Sequence, residues 1–116
     1  MKSKEFIKGT IKTIVLKLLN EQKKMYGYEI SQRVKELSSG EIELTYGALY
    51  PILYKLESEG ALVTESEIVD GRVRKYYSLT KEGTETAKVK TAELDRFADL
   101  LKIILKPSKT LTAWGG

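Results

Sequence analysis

The strongest structural pattern in the chain lies in two neighbouring stretches, TYGALYPILYKLESEG at residues 45–60 and RVRKYYSL at residues 72–79. In the first stretch, Thr45 is a residue type that caps helices, and an apolar face follows it at helical spacing. Its members are Leu49, Ile52, Leu53 and Leu56. Before the second stretch, Asp70 and Gly71 form a dipeptide typical of two-residue type I′ hairpin turns. The sequence therefore predicts a helix followed directly by a β-hairpin with a basic tip.

The turn also predicts the register of the hairpin. If Asp70 and Gly71 are the two turn residues, Val69 faces Arg72 and the pairing runs down to Leu62 opposite Leu79. One face of the hairpin is then apolar where it meets the body of the protein. On the other face, Glu67 lies opposite Arg74 and Glu65 opposite Tyr76, so one alternative to a DNA contact is that Glu67 engages Arg74.

Three further segments have helical periodicity. Residues 10–19 predict a first core helix with Thr10 as its cap, and residues 20–24 a polar break. A second helix carries Ile30, Val34 and Leu37 and ends at the Ser-Ser-Gly of residues 38–40. Residues 41–44 alternate polar and apolar side chains, which predicts a brief strand or an extended link. Thr80 is expected to cap a final helix that reaches about Leu105.

Pro51 conflicts with the helix predicted after Thr45. Inside a helix, proline cannot donate to the carbonyl of Gly47, and it disfavours helical geometry at Tyr50. We therefore expect an irregular first turn, with regular helix beginning by Pro51. Alternatively the helix begins at Pro51 itself, because proline suits the first helical position.

The final helix carries an apolar seam with a 3-4-3 spacing. The seam residues are Leu94, Phe97, Leu101 and Ile104, and Leu100, Ile103 and Leu105 widen the stripe. Because a terminal helix has too little of its own domain beside it to cover so broad an apolar face, we expect this helix to pack on a second copy of the chain. The sequence therefore predicts a homodimer.

Composition narrows the class of protein. The chain of 116 residues has 20 basic and 16 acidic residues, a net charge of +4 that favours a polyanionic partner without proving one. It contains no cysteine and no histidine, so the common zinc ligands and the usual general base are missing. No apolar run is long enough to cross a bilayer. We expect a cytoplasmic protein that is not an enzyme and has no metal, cofactor or membrane partner.

A helix beside a basic hairpin is the arrangement with which small proteins enter one groove of duplex DNA and touch the adjoining groove or backbone. The candidate contacts on the helix are Thr45, Tyr46, Gly47, Ala48, Tyr50 and Tyr54. Those on the hairpin are Arg72, Arg74 and Lys75. Plain structural alternatives remain open, since the tyrosines can be edges of the core and the basic tip can be a solvated edge that discourages aggregation.

The N-terminal stretch is rich in lysine. Seven lysines face only two acidic residues, Glu5 and Glu21; the lysines are Lys2, Lys4, Lys8, Lys12, Lys17, Lys23 and Lys24. They can form a solvated helix face or contact phosphates, and the sequence does not separate these alternatives.

Two groups of residues together resemble the PadR family of bacterial and archaeal transcriptional regulators. The first is Gly27-Tyr28-Glu29-Ile30 with Gly47-Ala48-Leu49-Tyr50-Pro51, and the second is RKYYSLTKEG at residues 74–83. The resemblance runs from about Gly9 to the final helix. It implies a winged-helix DNA-binding domain at residues 1–79, a single C-terminal dimerisation helix at 80–106, as in the short branch of the family, and a flexible tail at 107–116.

The resemblance also implies function. It indicates a dimeric repressor that binds a roughly palindromic operator and is released by a small hydrophobic or aromatic effector or by a stress signal. Some short-branch relatives stack planar drugs on a tryptophan at the dimer centre. The resemblance places Leu94 at the position of that tryptophan, so no such site is expected. Trp114 in the tail is expected to be loosely packed. The alternative function is a winged-helix module that binds protein or RNA without an operator.

Overall fold

The computed structural model of the chain describes residues 4–108. Five helices and three strands follow one another along this part of the chain. In order they are α1 (Lys4–Ile7), α2 (Ile11–Gln22), β1 (Lys24–Tyr26), α3 (Gly27–Leu37), α4 (Tyr46–Ser58), β2 (Leu62–Val69), β3 (Arg72–Leu79) and α5 (Lys81–Leu105). The predicted class, mainly α with a small hairpin, is confirmed. Trp114 and most of the expected tail lie outside the described residues.

The core lies where α2, α3 and α4 meet the base of the sheet. The helix α2 lies at the centre of this core, because neighbouring elements cover its apolar side chains. The buried residues of α2 are Ile11, Val15, Leu16, Leu18 and Leu19. Leu49, Leu53 and Leu56 bury one face of α4 against this centre. At about 1.5–3 kcal/mol for each large side chain removed from water, these contacts hold α4 firmly on the body.

Side chains cap two of the three helices that the sequence predicted to begin at a capping threonine; the Thr10 cap is wrong, because the Thr10 hydroxyl donates to the Ile7 carbonyl (2.8 Å) and makes no bond to an amide of α2. The Thr45 hydroxyl accepts a hydrogen bond from the Ala48 amide (3.3 Å), and the Thr80 hydroxyl accepts one from the Gly83 amide (3.0 Å). Both bonds satisfy amides of the first helical turn, and the Ala48 amide also donates to the Thr45 carbonyl (3.2 Å). The beginnings of α4 and α5 are therefore set by local chemistry.

The expected irregularity at Pro51 is wrong. The helix α4 begins at Tyr46 and runs to Ser58, so Pro51 stands inside it. Proline leaves the Gly47 carbonyl without its helical partner, but Gly47 is exposed and water can solvate that oxygen. Burial of the α4 leucines offsets the remaining strain.

The predicted hairpin register is confirmed pair by pair. Val69 lies opposite Arg72, and the ladder continues to Leu62 opposite Leu79. Asp70 and Gly71 both have positive φ (50° and 75°), as a type I′ turn requires. The base of the hairpin is buried, whereas its tip extends from the body into solvent.

The strand β1 corrects the prediction of a polar break before the second helix. Residues 24–26 pair with β3, Met25 opposite Tyr77, and give the sheet the order β1-β3-β2. The second helix α3 begins immediately afterwards at Gly27, where the Glu29 carboxylate accepts a hydrogen bond from the Tyr26 amide (3.1 Å). A three-residue strand is too short to show an alternating pattern, and its partner lies about fifty residues away.

Residues 41–44 form the extended link, not a strand. Side chains of α3 and of the residue that follows it hold this link in place. The Ser31 hydroxyl donates to the Leu44 carbonyl (2.8 Å), and the Ser38 hydroxyl accepts from the Ile42 amide (2.9 Å). The link thereby delivers Thr45, and with it the start of α4, to a defined place on the surface.

Candidate nucleic-acid interface

The exposed side of α4 is the first part of the site. Since its leucines face the core, the helix turns Tyr46, Gly47 and Tyr54 to solvent, while Ala48 and Tyr50 are partly covered. Thr45, which caps the helix, is also exposed. The residues that the sequence predicted as contacts therefore lie along one accessible stretch of α4.

Three tyrosines form a row along this helix. Tyr46 and Tyr50 meet edge to face with ring centroids 5.7 Å apart, and Tyr50 and Tyr54 are tilted at 6.0 Å. Tyr50 is packed over Gly27, where an added Cβ would overlap its hydroxyl group. Burial raises the pKa of Tyr50. The middle tyrosine thus joins α4 to the start of α3, while Tyr46 and Tyr54 present exposed edges.

The structure does not show the alternative in which Glu67 forms an ion pair with Arg74. The two residues lie opposite each other, but Glu67 contacts Lys24 of β1 instead (2.8 Å), as does Glu65 (3.1 Å). These two carboxylates raise the pKa of Lys24. The added strand β1 brings a second cation beside Glu67, and this cation could not be predicted from the hairpin alone.

Arg74 is held by aromatic side chains. Its guanidinium lies 4.1 Å from the centroid of the Tyr26 ring, and it donates a long hydrogen bond to the Tyr76 hydroxyl (3.5 Å). Tyr26 and Tyr76 also meet edge to face at 5.5 Å. Arg74 therefore fastens the hairpin to β1 through a cation–π contact.

Lys75 and Arg72 have different surroundings. The Lys75 ammonium lies 3.7 Å from the Glu57 carboxylate of α4 and within 6 Å of the rings of Tyr54 and Tyr77. It connects the hairpin to α4. Arg72 stands exposed at the turn and makes no ion pair with any acidic residue in the described part of the chain.

A groove of about 600 Å³ separates α4 from the hairpin. Tyrosines and cations line it together: Tyr26, Tyr50, Tyr54, Arg72, Arg74 and Lys75. Such a groove, positively charged and floored by rings, suits the edge of a polyanion. Of the predicted helix residues, Tyr50 and Tyr54 line this groove together with the three predicted hairpin residues.

The N-terminal lysines divide into two groups. Lys12 pairs with Glu59 (3.0 Å), Lys17 with Glu21 (2.8 Å), and Lys24 with the two glutamates of β2. Within residues 4–108, no carboxylate lies within 4.0 Å of the three others that the structure describes; they are Lys4, Lys8 and Lys23. The first group is engaged in ion pairs, whereas for the second group both alternatives, a solvated helix face and phosphate contact, stay predictions.

The helix α5 packs on the body over its first half and projects beyond it after Leu94. Gly83 and Ala87 are buried, whereas Phe97, Leu101 and Ile104 are 54%, 40% and 72% exposed. Leu94 is half-buried and lines an apolar groove with Ile14, Leu18 and Val34. An uncovered apolar stripe of this length is typical of an interface rather than of a free surface.

Between positions 4 and 108, no His, Cys, Asp and Glu side chains are grouped so that they could hold a metal ion. Over the same positions, no helix is long and apolar enough to span a bilayer.

The helix α4 packs on a three-stranded sheet and lies beside a long hairpin. This arrangement defines the class of winged-helix proteins. We call α4 the recognition helix and the β2–β3 hairpin the wing. The family model of the PadR-like transcriptional regulators matches residues 15–89, well over half of the chain. The chain therefore belongs to the PadR-like family, whose members are transcriptional regulators and not enzymes.

Known relatives agree with this assignment. The chain is 45% identical over 49 residues to the transcriptional regulator Rv3488 of Mycobacterium tuberculosis, a match that covers 42% of this chain and 46% of that one. A transcriptional regulator from Clostridium thermocellum superposes with a TM-score of 0.78 at 27% identity, covering 88% of this chain and 99% of the other. A PadR family regulator from Eggerthella lenta gives 0.74 at 29% identity, covering 90% and 88%.

Proposed function

We propose that this transcriptional regulator is a cytoplasmic, homodimeric repressor that binds a roughly palindromic operator in duplex DNA. The observation that carries the proposal is the surface formed by the exposed side of the recognition helix, the wing and the cationic groove between them. A B-DNA major groove is about 12 Å wide and admits one α-helix. The exposed side of α4 supplies that helix.

The two parts of the surface have different tasks. Tyr46 and Gly47 lie in the first turn of α4, where side chains reach base edges and where the absence of a side chain allows close approach. Thr45 and Ala48 flank them. Arg72 at the wing tip contacts the sugar–phosphate backbone or the minor groove beside the site. Arg74 and Lys75 add positive potential and keep the wing in position.

Dimerisation follows from the apolar stripe of α5. Its exposed members, Phe97, Leu101 and Ile104, have no covering element within the described chain. A second copy that packs the same stripe against the first makes a two-fold symmetric seam, and Leu94 extends that seam towards the body. Two recognition helices related by a two-fold axis match two half-sites of a palindrome.

Control by a small hydrophobic or aromatic effector fits this arrangement. A compound that binds the seam shifts the protein only if it favours one spacing of the two recognition helices over another. Release of DNA follows when the favoured spacing no longer matches the half-sites. The family resemblance is the support for the repressor role and for the effector.

The test is specific binding of the purified chain to duplex DNA that flanks its own gene. Fluorescence anisotropy in increasing salt, with random duplex as competitor, should show saturable specific binding whose affinity falls steeply with salt. Arg72→Ala should reduce that salt dependence. Equal affinity for all duplexes, together with tighter binding of RNA or of a protein partner, would reject the operator proposal.

A further inference from the structure

We infer that Lys4 and Lys8 form a second phosphate-binding surface, on the side of the recognition helix that lies next to α1 and not next to the wing. The inference rests on the proposed function, because its partner is the backbone of the same DNA duplex. It assigns a role to lysines whose contribution the sequence left open.

The position of the two lysines is defined by the anchoring of α1. Ile7 is buried in the core, and both the amide and the hydroxyl of Thr10 donate to its carbonyl (2.7 and 2.8 Å). Lys4 and Lys8 are four residues apart and both exposed, so they lie on the same side of this anchored turn. Their cations are therefore carried by a segment that the core holds in place.

The same two lysines line a groove at the start of the recognition helix. Opposite them stand Thr45, Gly47 and Pro51, and the groove measures about 470 Å³. Gly47 has open space around it, since an added Cβ would meet no atom within 4 Å. A strand of DNA backbone that follows the exposed side of α4 would thus pass within reach of both ammonium groups.

This groove and the wing groove lie on different sides of the recognition helix. Tyr50 and Tyr54 turn towards the wing groove, whereas Gly47, Ala48 and Pro51 turn towards α1. At about 100° per residue, the mean directions of these two sets differ by about a quarter turn. The recognition helix is flanked by the wing on one side and by the lysines on the other.

The charges at this groove favour an anion. Neither Lys4 nor Lys8 has a carboxylate within 4.0 Å among residues 4–108, in contrast to Lys12, which pairs with Glu59. Glu43 is the acidic residue that shares the lining. Because the lysines need not break an ion pair to meet a phosphate, they can contact the backbone without a competing loss.

Two phosphate backbones border the major groove of B-DNA. A helix that lies in the groove with cations on both sides can neutralise both backbones at once, the wing on one and the α1 lysines on the other. Such contacts set the orientation of the helix but carry no sequence information. The surface therefore adds affinity and register to every DNA site that the protein binds.

The experiment compares salt dependence among variants of the full chain. The double variant Lys4→Gln with Lys8→Gln removes both charges and keeps good helix formers; Lys4→Arg with Lys8→Arg keeps the charges. Lys88→Gln with Lys90→Gln is the matched control, because it removes two charges from exposed positions of α5 that pair with glutamates on the same helix. The probe is a mixed-sequence duplex of about 30 base pairs, long enough for two half-sites one helical turn apart.

We expect the Gln pair at 4 and 8 to weaken binding to this duplex and to flatten its salt dependence. Each phosphate contact contributes about 0.9 to the slope of log affinity against log salt. Between 50 and 200 mM salt, the wild type should therefore lose about tenfold more affinity per protomer than the variant. The Arg pair should behave as wild type.

The possible results separate the two proposals. An unchanged slope in the Gln pair, with a reduced slope for Arg72→Ala, overturns the lysine surface and leaves the proposed function standing. An equal reduction in the Lys88 and Lys90 control also overturns it, because net charge alone would then explain the effect. A wild-type protein that binds no duplex overturns the proposed function itself.

Discussion

Tyr77 is a buried tyrosine of the sheet whose burial links its ionisation to the stability of the fold. It is 1% exposed, lies between Met25 of β1 and Thr64 of β2, and its burial raises its pKa from 10.0 to about 12. The folded protein therefore holds the phenol in its neutral form more strongly than the unfolded chain does. The contribution of the neutral, buried phenol to the free energy of unfolding is complete below pH 10 and is lost as the pH rises towards 12.

We predict that Tyr77→Phe reduces the fall in stability between pH 10 and 12. The free energy of unfolding, measured with urea at several pH values, should decline more steeply for wild type than for the variant. Tyr28→Phe is the control, since Tyr28 is half-exposed on α3 and should leave the decline unchanged. Parallel curves for wild type and Tyr77→Phe would show that Tyr77 does not titrate in this range.

We predict opposite effects on stability when two different glycines, Gly83 and Gly47, are replaced by alanine. A Cβ at Gly83 would overlap the carbonyl group of Ala61, which is backbone and cannot turn aside, whereas Gly47 has open space around it. Gly83→Ala should lower the free energy of unfolding by about 1–3 kcal/mol through overpacking. Gly47→Ala should raise it by about 0.5–1 kcal/mol, because glycine is a poor helix former.

Chemical denaturation of the two variants measures both effects. A Gly83→Ala protein as stable as wild type would mean that α5 can move away from Ala61. The same samples test the recognition helix, since the added methyl group of Gly47→Ala should weaken DNA binding while it stabilises the fold. That combination of outcomes separates a structural glycine from one needed for close approach.

At the scale of elements, α4 and the wing behave as one unit. Lys75 contacts Glu57 across the groove, Tyr50 rests on the start of α3, and Arg74 is stacked on Tyr26. Two of the three predicted wing cations are thus engaged with the protein, and Arg72 is the one that projects freely. The wing is a positioned element whose orientation depends on β1 and α4.

We predict that Tyr46→Ala changes sequence preference more than non-specific affinity. Tyr46 is half-exposed in the first turn of the recognition helix, where base edges are contacted. Selection from a random library followed by sequencing should give a relaxed consensus, while affinity for random duplex stays close to wild type. Tyr46→Phe shows whether the hydroxyl or the ring matters. A uniform loss on all sequences would assign Tyr46 to the backbone instead.

At the scale of the whole molecule, the outstanding property is the long helix α5, which is buried at Ala87 and largely exposed from Phe97 onwards. We predict that Phe97→Gln with Leu101→Gln disrupts the dimer. Each large side chain contributes about 1.5–3 kcal/mol when buried, so the two changes should weaken self-association about a hundredfold or more. Sedimentation equilibrium should report monomers at concentrations where wild type is a dimer.

DNA affinity should fall along with dimerisation, although the recognition helix and wing are unchanged. Two half-sites bound by one dimer form a linked event, and separate monomers lose that advantage. Val63→Gln is the control, because it replaces an exposed apolar residue outside α5. A double variant that remains a dimer with wild-type affinity would place the seam elsewhere.

Local chemistry made a large part of this structure predictable from sequence. The Asp70-Gly71 turn defines the pairing of the whole hairpin, because side chains alternate strictly and the turn leaves one register. Thr45 and Thr80 mark the starts of their helices, because a hydroxyl in the right place satisfies an amide within one turn. The family motifs, which lie in the helices and in the hairpin, predicted the class of transcriptional regulators, and the comparisons confirm it.

Contacts between distant segments account for the features that sequence could not supply. The strand β1 exists because β3, about fifty residues later, offers it a free edge, and it diverts Glu67 to Lys24 and Arg74 to Tyr26. The helix α4 continues through Pro51 because buried leucines outweigh a local penalty. Local patterns report bonds made within a turn or a hairpin, whereas the partner of a side chain depends on which segments the packed core brings together.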